Sequence, residues 1–416
     1  MARSRTRSSA AKGQSGNAKE RNAAVLHGTR DPRPSSFKPR PTPASLLAQA
    51  TTFLQTSQPD DALPLALRAL ALSQPDPSSP TPKALPALNL LAEINLELGD
   101  ADEARTYFLQ AASLDPDGTT PEADGGGAEK FLWLAQLSEE GGHDSVHWFE
   151  KGAEILRRDT STLLDESLLL EKRKKLAGAL CGIIELYMTD LSWDPSAEPT
   201  CESLITEALL TCPSSPEPLQ TLASIRISQQ RIPEAKSALG GSMQLWRNLP
   251  PEHTSVPDFP TRISLARLLM EVALEDEALE VLERLVGEDD GSVEAWYLGG
   301  WCLYLSGVAK RDDPRNGGDE DEGEWKALWV ESRDWLQNAL KLYEMVGYED
   351  ERLREHAVEL VGEIGGVVGE VGGVVVEGDE GDQEVGMGEE EWESEGEDGE
   401  ESDDDDDDND DEMHDA

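Results

Sequence analysis

An all-α chain, wound as a right-handed superhelix of about seven helix pairs and closed by a C-terminal capping helix, is what these 416 residues predict. Three observations carry that expectation. From about Ala44 onward, apolar residues recur at helical spacing. Turn and stop signals separate them at near-regular intervals, the mark of a repeat array. Strand signals are nearly absent, and the one Val-rich stretch, 367–376, is interrupted by Gly369, Gly372 and Gly373.

The pairs follow in order. The first is read from Ala50, Phe53, Ala62, Ala66 and Ala69, with a Pro/Ser insertion over 75–82. The second, 85–116, is the clearest. Leu91 and Ala92 lie on the face of its first helix that meets the second helix, and Gly99-Asp100 makes the turn. Ala104, Phe108 and Ala111 form one stripe of the second helix, and Asp115-Pro116 stops it. Small side chains at Ala92 and Ala104 let the two backbones approach, and Phe108 fills the space towards the next pair.

Leu134, Ala135, Ser145, Phe149 and Gly152 mark a third pair with a tighter turn. The fourth is split into a helix over 172–190, a loop over 193–199, and a second helix through Cys201, Ile205 and Ala208, stopped at Pro213. Leu222, Ala223, Ala235 and Leu239 mark the fifth; Leu265, Ala266, Leu269, Ala278, Leu282 and Leu285 mark the sixth. The seventh opens with Trp296, Gly299, Gly300 and Leu303, breaks for an acidic loop over 311–324, and resumes at Ser332, Leu336 and Ala339. An amphipathic helix over 350–361, ending at Gly362, is the expected cap of the last face.

The second pair resembles the tetratricopeptide repeat at each signature position except the first aromatic one, where Leu88 stands. The domains expected are therefore a disordered basic arm over 1–40, a tetratricopeptide-repeat superhelix over 41–362, a Gly/Val linker over 363–376, and a disordered acidic tail over 377–416. In such an array each pair contacts only its neighbours, and the first helices line an inner groove able to hold an extended peptide or a helix.

By the pattern, that groove receives Asn89, Glu93 and Glu97 from the second pair and Gln136, Glu139 and Glu140 from the third. Glu185 comes from the fourth, Glu271 from the sixth, and Tyr297, Trp301 and Tyr304 from the seventh. Carboxylates along a groove with aromatics at one end suit a basic segment, through ion pairs and stacking on Arg. Trp301 and Tyr304 suit an inter-repeat core as well. Co-chaperones that hold heat-shock tails resemble each other in a Lys/Asn/Lys/Arg clamp, and the matching first-helix positions here are Asn89 and Glu93, then Ser224, then Tyr297 and Trp301, so that an acidic peptide would be repelled.

Charge narrows the partner. The chain carries −49 overall. Residues 1–40 hold ten basic and two acidic side chains, while 377–416 hold twenty-four acidic and no basic ones. So acidic a chain is expected to bind no nucleic acid directly, since that affinity rests on neutralising phosphates, and to favour a strongly basic protein. No apolar run is long enough to span a membrane, and Met1–Arg7 leads into polar sequence with no secretory h-region. Cys181, Cys201, Cys212 and Cys302 have no metal-type spacing and read as reduced, packed thiols.

Arg-rich arm, seven-pair array and acidic tail, in that order, resemble the fungal dedicated assembly chaperones of ribosomal proteins, in particular those serving the fourth large-subunit protein. The resemblance implies a non-enzymatic holdase whose groove takes the client's long basic internal loop. It implies a complex formed as the client is made and moving from cytoplasm to nucleus for large-subunit assembly; an array capped at its end favours a monomer, hence a 1:1 complex with the client. The same features also suit a histone chaperone or a scaffold subunit of a larger complex.

Catalysis finds little footing. His143 and His147 share a helical face, but Asp144 and Glu150 do not complete a metal set. No phosphate-binding glycine loop or nucleophile elbow is present. No catalytic residue, metal or cofactor is expected.

Overall fold

The computed structural model describes residues 41–76, 79–313 and 319–369. Among them are fifteen α-helices and no strand. They run as seven antiparallel pairs and a last single helix. α1 (Pro43–Gln55) packs on α2 (Pro59–Ser73), and α3 (Leu85–Glu97) on α4 (Ala101–Leu114). α5 (Glu129–Gln136) packs on α6 (Gly142–Thr162), and α7 (Glu166–Met188) on α8 (Ala197–Thr211). α9 (Glu217–Ser228) packs on α10 (Ile232–Gln244), and α11 (Phe259–Glu271) on α12 (Glu275–Glu288). α13 (Val293–Asp312) packs on α14 (Asp319–Val346), and α15 (Glu351–Val368) closes the stack.

Six of the helices start at a side-chain cap. Thr42 and Ser45 form a reciprocal capping box ahead of Pro43, whose missing N–H costs nothing in a first turn. Asp100, Asp165, Asp258, Ser292 and Asp350 cap α4, α7, α11, α13 and α15 through their side-chain oxygens. Gly99, at φ +80°, supplies the left-handed residue of the α3–α4 turn.

The core runs between pairs as well as within them. Ala92 and Ala104 have no exposed surface, so α3 and α4 meet closely. Phe108 is buried and its ring lies parallel to Trp133 of α5 at 6.3 Å between centroids. Its burial contributes about 2–3 kcal/mol, spent on holding two pairs in register. Further along, Arg262 of α11 forks onto Glu288 at the end of α12, with contacts of 2.7 and 2.6 Å. That guanidinium holds the Glu288 carboxyl below the usual range.

Every second helix stays on one side, while the first helices meet each other on the other: α1 with α3, α7 with α9, α9 with α11, α11 with α13, and α13 with α15. That row is the inner, concave face.

Four boundaries differ from the sequence reading. α7 begins at Glu166, not 172, because Asp165 caps it by accepting from the Ser167 and Leu168 N–H groups at 3.0 Å. α8 begins at Ala197, inside the expected loop, since Pro199 falls in a first turn that needs no N–H there. α14 begins at Asp319, inside the expected acidic loop over 311–324, where Glu322 pairs with Lys326 one turn on and Glu324 with Lys310 of α13 at 3.1 Å. α15 does not end at Gly362 but continues to Val368, so 363–368 is helix and not linker. Ile364, fully buried in step with Leu353, Ala357 and Leu360, extends it. The arm over 1–40, the linker from 370 and the acidic tail lie outside the described residues.

Candidate functional site

Two cavities open on the concave face. One, of about 370 Å³, is bounded by Leu132 and Gln136 of α5, Lys175 and Glu185 of α7, and Glu217 of α9. Its floor is glycine and aromatic. A Cβ at Gly182 would collide with the Phe149 ring, at 2.8 Å, and one at Gly178 would stand 3.5 Å from the Glu217 carboxylate. Gly182 is therefore what lets the Phe149 ring of α6 close over α7, whereas a methyl at Gly178 would meet Glu217 of α9 in ordinary contact.

The carboxylates here lack cations. Burial raises the Glu185 carboxyl above its ordinary value. Burial, then the nearby Glu185 and Asp258 charges, raises that of Glu217. Neither has an ion-pair partner among the described residues. Glu93 on α3 is raised by burial and then by Glu129. Lys175 is already engaged, 3.0 Å from Glu129 and 3.2 Å from Glu171. Burial lowers its ammonium, but the two carboxylates outweigh this and the net shift is upward. Unpaired carboxylates held above their usual pKa are groups that a cation would stabilise.

The second cavity, of about 520 Å³, lies between α11, α13 and α15. Glu271, Tyr297 and Trp301 line it together with Met270, Leu305 and Leu353. Tyr297 and Trp301 also hold the cap: the Tyr297 hydroxyl is 2.7 Å from His356 Nδ1, and Trp301 meets the same ring edge-on at 5.1 Å. Tyr304 donates to Glu363 at 2.6 Å and stacks on Trp329 at 5.1 Å. Burial first, then that carboxylate, pushes its phenol up to about 12.

The structure thus brings Gln136 to Glu185, and Glu271 to Tyr297 and Trp301, with Glu93 at the earlier end of the row. It removes others from the inner helix face. Asn89 is half-buried and its amide donates to the Gly125 carbonyl at 2.8 Å, anchoring the α4–α5 connection. Glu97 is not one of these: it is exposed in the last position of α3, one turn after Glu93 on the same side of the helix. Glu139 and Glu140 sit in the α5–α6 turn, because α5 is only eight residues long and stops at Gln136. Glu139 lies 4.0 Å from Arg105 of α4. Tyr304 packs on α14 and α15 and lines neither cavity.

Sequence reasoning missed Glu217, Glu129, Asp258 and Met270. Glu217 and Glu129 hold the first helical positions of α9 and α5, which is the only local signal that could have found them. His147 packs on Trp148 at 5.2 Å, and Asp144 accepts from the Ser138 hydroxyl at 2.6 Å. Among the described residues no group of three or more potential ligands is placed to hold a metal, and no helix is long and apolar enough to cross a membrane.

Residues 47–119, the first two pairs, match the tetratricopeptide repeat family. A protein of Emericella nidulans named "Probable assembly chaperone of rpl4" is 51% identical over 362 residues, covering 86% of this chain and 90% of that relative. The chain belongs to this assembly-chaperone family. A Schizosaccharomyces pombe protein of the same name is 36% identical over 310 residues, 74% of this chain and 88% of its own length. A solved structure titled "Assembly Chaperone of RpL4 (Acl4)" shares 49% identity at a TM-score of 0.60, covering 65% of this chain and 99% of that one. That likeness places the family's repeat fold on this chain.

Proposed function

We propose that this chain is a dedicated, non-enzymatic chaperone of the ribosomal protein rpl4. It holds a basic, extended segment of that client in its concave groove, keeps it soluble, and carries it from cytoplasm to nucleus for assembly of the large ribosomal subunit. The relatives' names support the client. One observation supports the groove: Glu185 and Glu217 face a shared cavity with raised pKa values and, among the described residues, no ion-pair partner.

The physics of such a complex is electrostatic. A Lys/Arg-rich segment entering the groove pairs with carboxylates that repel one another when it is empty. The Debye length at physiological salt is about 8 Å, so the attraction acts near contact and weakens as salt rises. Ribosomal RNA, with a denser array of charge, competes for the same cations and draws the client off.

The test is purification of the tagged chain from cells, followed by salt titration of the complex formed with recombinant rpl4. A stoichiometric rpl4 complex, weakened by salt and lost in Glu185→Lys/Glu217→Lys, is the expected result. Undiminished rpl4 binding by a folded double variant overturns the groove assignment.

A further inference from the structure

We infer that the cavity between α11, α13 and α15 is an anchor pocket for one large uncharged apolar side chain, an aromatic one above all, carried within the basic segment. The inference rests on the groove reading and adds a second, chemically different contact to it. It starts from a contrast between the two cavities. The one at Glu185 and Glu217 has an excess of negative charge, because its Lys175 is taken up by Glu129 and Glu171. The one at the cap differs in its walls: its charged lining groups are Arg267, Arg352, Glu271 and Asp350, with Arg267 already paired to Glu294, and the rest of the lining is apolar or aromatic.

Its walls are hydrocarbon and aromatic: Met270, Leu298, Trp301, Leu305 and Leu353. A guanidinium or ammonium entering there would leave water for walls that are mostly hydrocarbon, which cannot replace its hydration. An aromatic ring gains the face or edge of Trp301 and the thioether of Met270. The volume, about 520 Å³, falls in the range of roughly 300–1,000 Å³ typical of ligand clefts.

The pocket is also built before anything binds. Tyr297 is tied to His356 across the α13–α15 boundary at 2.7 Å, and the Trp301 ring is fixed against the same imidazole. Walls already held in place need little ordering when a side chain arrives. The pocket lies on the same row of first helices as the acidic stretch, since α9 touches α11 and α11 touches α13. An extended segment held at Glu217 can therefore run on to it. The division of labour follows: carboxylates supply attraction that salt screens, and the pocket supplies a contact that salt leaves alone and that tells one basic segment from another.

The test uses the full chain and two Lys/Gly peptides that differ only by a central Trp→Ala substitution. Wild type is expected to bind the Trp peptide about tenfold tighter than its Ala counterpart, with that ratio unchanged between low and high salt. In Met270→Trp, and independently in Leu305→Trp, a new indole fills the cavity and the ratio falls towards one, with far-UV circular dichroism confirming the helices. Glu185→Gln/Glu217→Gln weakens both peptides and keeps the ratio. A ratio near one in wild type, or a full ratio in both filled variants, overturns the anchor pocket while leaving the groove standing. Failure of wild type to bind either peptide overturns the groove itself.

Discussion

Lys130 and Asp115 form an ion pair shut away from water: Nζ lies 2.9 Å from Oδ2, with side chains 1% and 3% exposed. The pair joins the end of α4 to the start of α5. Asp115 Oδ1 also accepts from the Thr119 and Thr120 N–H groups and the Thr120 hydroxyl, each at 3.0 Å, and Lys130 donates to the Gly127 carbonyl at 2.9 Å. The long α4–α5 connection is thus wrapped around one charge pair.

Removing one partner should cost more than removing both. Lys130→Met leaves a buried carboxylate without its cation and is expected to destabilise the chain by about 3 kcal/mol, read from urea midpoints. Lys130→Met with Asp115→Asn should recover most of that loss, and no recovery would show that the pair is not the source of it.

The same carboxylate sets an acid limit. Burial pushes Asp115 up, but Lys130 and Thr120 outweigh it and hold the carboxyl below its ordinary value. A folded pKa below the unfolded one, about 3.9, gives stability that is present above that value and lost as pH falls through the folded one. Wild type should therefore lose more stability than Asp115→Asn between about pH 4 and pH 2. Parallel loss in the two proteins would refute the assignment.

Gly299 and Gly300 on α13 oppose two effects. Helix propensity alone says that Ala in their place stabilises, by about 1 kcal/mol. A Cβ at Gly299 would run into the Trp335 ring, and one at Gly300 would stand 2.6 Å from Leu336 Cγ and 3.1 Å from its backbone nitrogen. Overpacking should win, so that Gly299→Ala and Gly300→Ala each lower stability by about 1–3 kcal/mol in thermal unfolding. A rise in melting temperature would show that α13 and α14 can part.

How much of this was legible follows from what each residue depends on. The helix pairs are local: Ala92, Ala104 and Phe108 carry period, turn and packing within about one repeat length of sequence, so the array could be read. Glu139 and Glu140 could not be placed, because α5 is cut to two turns and Glu139–Gly141 becomes the turn into α6, with Gly141 and Gly142 at positive φ. Glu217 could not be singled out either. Its place opposite Glu185 depends on how α9 lies against α7, which no spacing along the chain encodes.

The cap shows tertiary packing overriding local propensity. Gly362, Gly365 and Gly366 signal a stop, yet Ile364 is fully buried and Glu363 accepts from Tyr304 at 2.6 Å. Truncation after Gly362 should therefore destabilise relative to truncation after Gly369. Ile364→Ala in the full chain should cost about 3 kcal/mol. Equal melting of the two truncations would mean that the last turns of α15 contribute nothing.

On the proposed groove, client binding at Glu185 and Glu217 is expected to be proton-linked. Their folded pKa values are raised by burial and, for Glu217, by neighbouring carboxylates. The sign follows from that. Above the unfolded value, about 4.3, these groups cost the empty chain stability, and the cost is relieved as pH falls through their raised folded values. A bound ammonium or guanidinium reverses the shift and draws the pKa values down. Binding then releases protons, and affinity rises with pH across the window just above the ordinary carboxylate range. Calorimetry of rpl4 binding in buffers of different ionisation enthalpy should detect that release in wild type and a smaller one in Glu185→Gln/Glu217→Gln. The same variant should melt higher than wild type when empty, yet bind rpl4 about tenfold more weakly. Stability and affinity moving in opposite directions is what a groove built for a missing cation requires, and their moving together would refute it.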